Sequence, residues 1–150
     1  MLEGKVAVVT GASGGIGRAI ALAFGKAGAS VAVHYNGNEA KAAAVKAEIE
    51  AAGGKAEIFR CNVADFEACN TFIKDVVKTF GKIDILVNNA GITRDGLIMG
   101  MSEEDFDAVI DTNLKGSFNC IRFASRQMMR KKYGRIINIT SVSGVAGNPG

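Results

Sequence analysis

The sequence lacks the features that mark nucleic-acid-binding and membrane proteins. Its basic residues are scattered except at Arg130-Lys131-Lys132, and the net charge is only +3. A nucleic-acid surface needs a basic stripe or patch, so we expect no nucleic-acid partner. No charged leader with an apolar segment opens the chain, and no apolar run reaches membrane-spanning length. We therefore expect no membrane segment either.

Cysteine is scarce, and its spacing fits neither a metal site nor a redox motif. The three cysteines, Cys61, Cys69 and Cys120, are odd in number and form no Cys-x-x-Cys pair. This usage is typical of reduced thiols, and it predicts a cytoplasmic protein without a metal site. Cys61 ends an apolar run and Cys120 lies on an apolar helix face, so we interpret both as small buried hydrophobic side chains.

What is present is an alternation of short apolar strands with helical patterns, without a repeat, a low-complexity linker or an internal boundary. Such alternation predicts an α/β fold of Rossmann type, in which two layers of helices enclose a doubly wound parallel sheet. The length suits a single core, so we expect one dinucleotide-binding domain over residues 1–150. The five predicted strands are Lys5–Thr10, Ser30–Tyr35, Lys55–Cys61, Ile83–Val87 and Arg135–Thr140.

Four helices are predicted between these strands, and a glycine-rich loop, Ser141–Gly150, is predicted after the last one. Asp65 and Ser102 are placed to cap the third and fourth helices. The apolar spacing predicts that one face of the first helix packs on the sheet and one face of the long fourth helix packs on a core. These faces are Ile16, Ala19, Ile20, Ala23, Phe24 and Ala27 in the first helix, and Phe106, Val109, Ile110, Leu114, Phe118, Ile121 and Met128 in the fourth, which runs from about Ser102 to Arg130.

The turn after the first strand, Thr10-Gly11-Ala12-Ser13-Gly14-Gly15-Ile16-Gly17, is typical of phosphate binding. A strand that ends at a glycine-rich turn and continues as a helix exposes unpaired N–H groups and the positive end of the helix dipole. A dinucleotide's pyrophosphate fits there. Gly11 allows a tight turn, Gly15 a close approach of the backbone to phosphate, and Gly17 contact between helix and strand. The spacing differs from Gly-x-Gly-x-x-Gly, and a turn without a ligand is the alternative.

Unusual polar or glycine-rich segments follow three further strands. Asn62-Val63 comes after the third strand, Asn88-Asn89-Ala90-Gly91 after the fourth, and Ser141 after the fifth. Ligands of open parallel sheets bind outside the carboxyl ends of the strands. We therefore predict that these segments and the glycine turn converge on one crevice.

With these motifs the chain resembles the short-chain dehydrogenase/reductase family over its entire length. The combination of Thr-Gly-x-x-x-Gly-Ile-Gly with a later Asn-Asn-Ala-Gly is more specific than either part. Within the family, the runs Gly91–Asp95, Asn113–Gly116 and Gly134–Asn138 are similar to bacterial 3-oxoacyl-[acyl-carrier-protein] reductases of fatty acid synthesis. Relatives that act on acetoacetyl-CoA or other small ketones are an alternative.

The resemblance implies hydride transfer from a nicotinamide cofactor to a ketone. It implies that Ser141 is the catalytic serine, which hydrogen-bonds the substrate carbonyl and the developing alkoxide. It implies that Asn113 is the catalytic asparagine, which holds a helix irregularity and a water of the proton relay. The implied cofactor-binding residues are Gly11, Ser13, Gly14, Gly15, Ile16 and Gly17 at the pyrophosphate, Asn62 and Val63 at the adenine, and Asn89, Ala90 and Gly91 beside the nicotinamide.

Each of these residues also has a structural interpretation. Ser141 could satisfy its own backbone in a turn, and Asn113 could be a hydrogen-bonded core asparagine. His34, the only histidine, is expected to be structural or near the adenosine. Arg130-Lys131-Lys132 is expected to be a solvated helix end, with a contact for an acidic acyl carrier protein as the alternative.

The cofactor prediction is NADPH in preference to NADH. An NAD-specific site usually places an acid near the end of the second strand, and His34–Asn38 contains none. Many NADPH-using relatives carry an arginine in the glycine turn, at the position of Gly14. The residue that would balance the charge of the 2′-phosphate is therefore not identified by the sequence.

The family's Tyr-x-x-x-Lys motif does not occur at Tyr35 or Tyr133. It would follow Ser141 by a dozen or so residues, so we expect an amino-terminal portion of a longer enzyme, without the family's last strands. A catalytically silent nucleotide-binding or scaffold domain is the alternative. We expect a homo-oligomer, because Arg135–Thr140 would form an unpaired sheet edge and because family tetramers use the helix at Ser102–Arg130.

Overall fold

The computed structural model describes residues 1–148. At its centre lies a parallel sheet of five strands in the order β3-β2-β1-β4-β5. The sequence of strands across the sheet changes direction between β1 and β4, although these two strands are parallel, as in the Rossmann fold. This order confirms the predicted fold class. The strands are Val6–Val9 (β1), Ser30–Tyr35 (β2), Lys55–Arg60 (β3), Ile85–Asn88 (β4) and Arg135–Asn138 (β5).

Helices cover both faces of the sheet and form two separate cores with it. The first two helices pack on one face, and the helices Phe66–Phe80 and Gly116–Lys131 pack on the other. None of the helices within residues 1–148 is long and apolar enough to cross a membrane. The helices are Gly15–Lys26 (α1), Glu39–Ala51 (α2), Phe66–Phe80 (α3), Glu103–Val109 (α4), Gly116–Lys131 (α5) and Ser143–Ala146 (α6), with a 3₁₀ turn at Ile98–Gly100.

Several strand boundaries differ from the sequence prediction by one or two residues. The strand β4 starts two residues after the predicted Ile83, and β5 ends at Asn138 instead of Thr140. The predicted loop Ser141–Gly150 contains the short helix α6, and its last two residues lie outside the described part of the chain. Element ends depend on local hydrogen bonds that apolar spacing does not encode.

The predicted long helix is interrupted by a π-helical segment, Ile110–Lys115, between α4 and α5. A π segment closes hydrogen bonds between residues five apart, so it carries one residue more per turn and changes the direction of the side chains that follow. This irregularity includes Asn113, where the family resemblance implied one.

The apolar face predicted for this long helix is wrong in large part. Met128 is buried and Val109 and Ile121 are half-buried, but four of its members are exposed. The buried face of α5 consists of smaller or polar residues, because the helix runs close to the loop after β3: a Cβ at Gly116 would lie 2.7 Å from Val63 Cγ2. The exposed members are Phe106 (55%), Ile110 (37%), Leu114 (66%) and Phe118 (56%).

The predicted face of α1 is also displaced. Ile20 and Phe24 do pack against the core, but Ile16, Ala19 and Ala23 are exposed. The residues that α1 buries are Gly17, Ala21 and Gly25. Glycine lets the helix approach its neighbours, since a Cβ at Gly25 would lie 2.7 Å from Ile49 Cγ2 of α2.

Candidate functional site

A cleft of about 720 Å³ opens at the carboxyl ends of four strands, β1 to β4. The segments that follow these strands form most of its wall, and α4 with the π segment closes the remaining side. The predicted site residues that line it are Gly11, Ser13, Gly14, Asn62, Val63, Ala90 and Gly91. The predicted residues outside this lining are Gly15, Ile16, Gly17, Asn89, Asn113 and Ser141.

The glycine turn brings the start of α1 directly against β1. Gly11 adopts a positive φ of +64° that favours glycine. A Cβ at Gly17 would lie 2.2 Å from the carbonyl oxygen of Gly11, so only glycine allows this contact. At Gly14 and Gly15 the space beside the backbone is open to 4 Å. The turn is therefore closed on the protein side and open on the cleft side.

The first turn of α1 differs from those of α2, α3 and α4. In α2 and α3 the side chains of Asn38 and Asp65 accept hydrogen bonds from backbone N–H groups of the first turn, and Ser102 does so in α4. The residue before α1, Gly14, has no side chain to do this. Because the first N–H groups of a helix have no partner within it, those of α1 are available to an anion bound beside Gly14, which lines the cleft.

The side chains of His34 and Thr10, both buried, fix the turn. The imidazole of His34 lies in a chain of hydrogen bonds: its Nδ1 accepts from Gly11 N at 2.9 Å, and its Nε2 donates to the Cys61 carbonyl at 2.8 Å. This confirms a structural position for His34. The signal for this role is the place of His34 near the end of β2, the strand that lies between β1 and β3.

Thr10 makes the second set of contacts, between the ends of β1 and β4. Its hydroxyl oxygen accepts hydrogen bonds from the N–H groups of Asn89 and Ala90, both at 2.9 Å. In return the Asn89 amide donates to the carbonyl oxygens of Thr10 and Gly11, at 3.0 and 3.2 Å. Asn89 therefore holds the turn from behind, while Ala90 and Gly91 face the cleft.

Asn113 is held by the loop after β4. Its side-chain oxygen accepts from Ile92 N at 2.8 Å, and its amide donates to the Ile92 carbonyl at 2.9 Å. The Ser117 hydroxyl donates to the Asn113 carbonyl at 2.8 Å, which satisfies a backbone acceptor of the π segment. Asn113 lines a second cavity of about 300 Å³ next to the main cleft.

Ser141 lies after β5, at the sheet edge, and its side chain is exposed. Its hydroxyl oxygen accepts from Ser143 N at 3.2 Å, as in a serine turn. In the described part of the chain the hydroxyl donates to no protein acceptor, so its hydrogen is available.

The loop after β3 has an exposed residue and a buried one. The exposed Asn62 accepts from Ala64 N at 3.1 Å, and the buried carbonyl of Val63 accepts from the Asn119 amide at 2.8 Å. The Cys69 thiol lies 3.3 Å from the same carbonyl oxygen. The loop is thereby anchored to α3 and α5.

The three cysteines are buried, which confirms the prediction that Cys61 and Cys120 are small buried side chains. The sulfur atoms of Cys61 and Cys69 are 3.9 Å apart. A hydrogen bond with Cys120 raises the pKa of Cys69 to about 12, and the contact with Cys69 together with burial raises that of Cys61. Among residues 1–148 no group of His, Cys, Asp or Glu side chains is arranged to hold a metal ion.

One group of lining residues was not predicted, and another, at the end of β2, was considered only for its lack of an acid. The end of β2 contributes because β2 lies next to β1, a neighbour relation that the alternation of elements alone does not specify. The residues from α4 and the π segment gave no signal in the sequence. The lining residues in these two groups include Asn36, Gly37, Asn38, Asp111 and Thr112.

Comparison with known proteins gives consistent matches. The family model for short chain dehydrogenases matches residues 5–150. The 3-oxoacyl-[acyl-carrier-protein] reductase FabG of Staphylococcus aureus is 56% identical over 146 residues, 97% of this chain and 59% of that protein. A 3-oxoacyl-[acyl-carrier-protein] reductase of Synechocystis is 52% identical over 149 residues, 99% of this chain and 60% of its own length.

A crystal structure of a short chain dehydrogenase from Mycobacterium avium superposes with a TM-score of 0.93 at 44% identity. The match covers 99% of this chain and 56% of that one. The chain thus spans about 60% of the length of the curated relatives that it matches. From the matched residues and the shared fold, the chain belongs to the short-chain dehydrogenase family, and it resembles the 3-oxoacyl-[acyl-carrier-protein] reductases within it.

Proposed function

We propose that the cleft binds NADPH and that the full-length protein reduces a 3-oxoacyl thioester carried by acyl carrier protein. The observation that carries the proposal is the first turn of α1, whose N–H groups have no capping side chain and follow Gly14, a residue that lines a large cleft. A dinucleotide pyrophosphate would accept hydrogen bonds from these groups and interact favourably with the helix dipole. The names of the relatives supply the substrate class.

The residues at the ends of β3 and β4 fit the remaining parts of the cofactor. Asn62 and Val63 are proposed to contact the adenine, and Ala90 and Gly91 to lie beside the nicotinamide. When bound, the reduced nicotinamide supplies a hydride. Since Thr10 and Asn89 fix the turn through five hydrogen bonds with neighbouring backbone, the wall is preorganised for such a ligand.

Ser141 and Asn113 are the proposed catalytic residues. The Ser141 hydroxyl would donate to the substrate carbonyl oxygen and stabilise the negative charge that develops there. The Asn113 side chain holds both backbone groups of Ile92 and keeps one N–H, so its proposed role is to fix the π segment beside the substrate and a relay water. Polar groups held in this way do not need to reorganise during the reaction.

The test measures NADPH oxidation by the full-length protein with a 3-oxoacyl thioester of acyl carrier protein. Acetoacetyl-CoA is the competing substrate. We expect Ser141→Ala to lower kcat by about 10²- to 10³-fold, as removal of one oxyanion donor does. Ser143→Ala is the matched control, because the contact to Ser141 uses the Ser143 backbone N–H, which the substitution keeps.

The outcomes separate the alternatives. Turnover of acetoacetyl-CoA in preference to the carrier-protein substrate would assign a small-ketone reductase. NADPH binding without turnover of either substrate would assign a silent nucleotide-binding domain. Equal rates for Ser141→Ala and Ser143→Ala would remove Ser141 from the mechanism.

Two surfaces support the proposed partners. Arg130 and Lys131 end α5 and Lys132 follows them, all exposed, as an acidic carrier protein requires. The exposed apolar residues of the α4–α5 region and the exposed strand β5 support a homo-oligomer, because exposed apolar patches and unpaired strand edges mark interaction sites.

A further inference from the structure

The proposed cofactor carries a 2′-phosphate whose charge needs a partner that the glycine turn does not provide. The side chain at the relevant turn position is absent, since residue 14 is glycine. The first turn of α2, near the end of β2, is partly occupied, because Asn38 Oδ1 accepts from Lys41 N at 2.9 Å. A cation close to the end of β2 would satisfy the phosphate better than backbone alone.

Arg60 meets this requirement. It is the last residue of β3 and pairs in register with Tyr35, the last residue of β2. Its Nε donates to the Asn36 carbonyl at 3.1 Å, which places the guanidinium against the segment that lines the cleft. The hydrogen bond uses one of five N–H donors, so the two terminal amino groups keep four.

No carboxylate within the described residues lies within 4 Å of Arg60 to neutralise it. Arg18 differs in this respect, because it pairs with Glu48 at 2.6 Å. Lys41 is the other cation at the start of α2, and its side chain is exposed without an ion pair in that same part of the chain. Arg60 and Lys41 are therefore the two candidates.

One acid, Glu39, lies beside the same segment. Burial raises the pKa of Tyr35, and the neighbouring Glu39 carboxylate raises it further. An acid at the end of β2 favours the free ribose hydroxyls of NAD, so Glu39 is the residue that would oppose selection of the phosphate. The guanidinium of Arg60 and this carboxylate thus favour different cofactors.

We propose that Arg60 determines the preference for NADPH by binding the 2′-phosphate, in the place of the arginine that the turn lacks. The planar guanidinium can donate two parallel hydrogen bonds to phosphate oxygens, which an ammonium cannot do. The proposal rests on the proposed function, because it requires that the cleft binds a nicotinamide dinucleotide.

The experiment measures dissociation constants of NADPH and NADH for the full-length protein by titration calorimetry, with 2′,5′-ADP and 5′-ADP as probes that lack the nicotinamide. We expect Arg60→Gln to weaken NADPH and 2′,5′-ADP by about 10- to 100-fold, the range for losing hydrogen bonds to a charged group. We expect changes below about threefold for NADH and 5′-ADP. Arg60→Lys should retain part of the affinity for the phosphate.

Lys41→Gln is the matched control, since it removes the same charge from the neighbouring helix start, and it should change the NADPH-to-NADH ratio less than Arg60→Gln. Equal effects of Arg60→Gln on both cofactors, or a larger change of the ratio in Lys41→Gln, would overturn the proposal. The proposal would also be overturned if the wild type bound NADH more tightly than NADPH and Glu39→Gln lost affinity for NADH. Failure of the wild type to bind either dinucleotide would instead contradict the proposed function.

Discussion

Two strands of the same sheet, β1 and β5, have similar lengths and opposite environments. All four residues of β1 are buried, whereas all four residues of β5 are exposed. The strand β1 pairs with β2 and β4 and is covered by helices on both faces; β5 pairs with β4 alone within the described residues. The half of the fold that forms the cleft is therefore packed by its own side chains, while the half that carries Ser141 leaves apolar surface uncovered.

The largest effect should come from the packed half, at Gly17. In Gly17→Ala the new Cβ would meet the Gly11 carbonyl oxygen at 2.2 Å and the Asn89 amide at 2.4 Å. Neither group can move without breaking the turn, so we expect a loss of at least about 3 kcal/mol, at or beyond the upper end for overpacking. Urea unfolding measures it.

Gly14→Ala is the control for this substitution. Gly14 has an extended backbone and nothing within 4 Å of a Cβ, so its free energy of unfolding should change by less than about 1 kcal/mol. A comparable loss in both variants would mean that α1 does not contact β1 as described.

A smaller effect is expected where the two halves meet in register. Leu86 of β4 lies opposite Ile136 of β5, but Leu86 is fully buried and Ile136 is 40% exposed. Leu86→Ala should lower the unfolding free energy of the 150-residue chain by about 2–5 kcal/mol, and Ile136→Ala by less than half as much. Equal losses would show that a second copy covers β5 in solution, which sedimentation at the same concentration would detect.

The smallest effect concerns pH and the buried thiols. The folded pKa of Cys69, about 12, exceeds its ordinary value of about 9. Unfolding therefore releases a proton between these values, so the contribution of Cys69 to stability is complete below about pH 9 and is lost as the pH rises towards 12. Cys69→Ala should flatten the fall in unfolding free energy between pH 8 and about 10. An unchanged slope would contradict the buried contact with Cys120.

Much of the packed half could be predicted from the sequence. Apolar runs gave the five strands because a strand covered on both faces must be apolar throughout. The caps Asp65 and Ser102 were correct because capping depends on local side-chain chemistry.

The errors concern surfaces whose partner is another element. Apolar periodicity overlooked Gly25, since glycine enters no hydrophobic face although its small size decides how close two elements come. The contact of Gly17 was predicted from the glycine motif instead. Periodicity also found an apolar face at Phe106 and Leu114 without indicating what covers it. The site residues at the end of β2 required the strand order, and Arg60 required the cross-strand register.

The uncapped start of α1 has a consequence for how this region tolerates genetic variation. The hydrogen-bond donors at the start of α1 are backbone N–H groups, and every amino acid except proline supplies the same N–H. In a saturation mutagenesis library of Ser13 and Ile16, cofactor binding should therefore depend on whether a variant keeps the backbone conformation. It should depend little on the chemistry of the new side chain. Ile16→Pro is the informative member, because proline is accepted in the first turn of a helix yet deletes one donor. At this position the sequence therefore needs only to avoid proline, and it does not need one particular side chain.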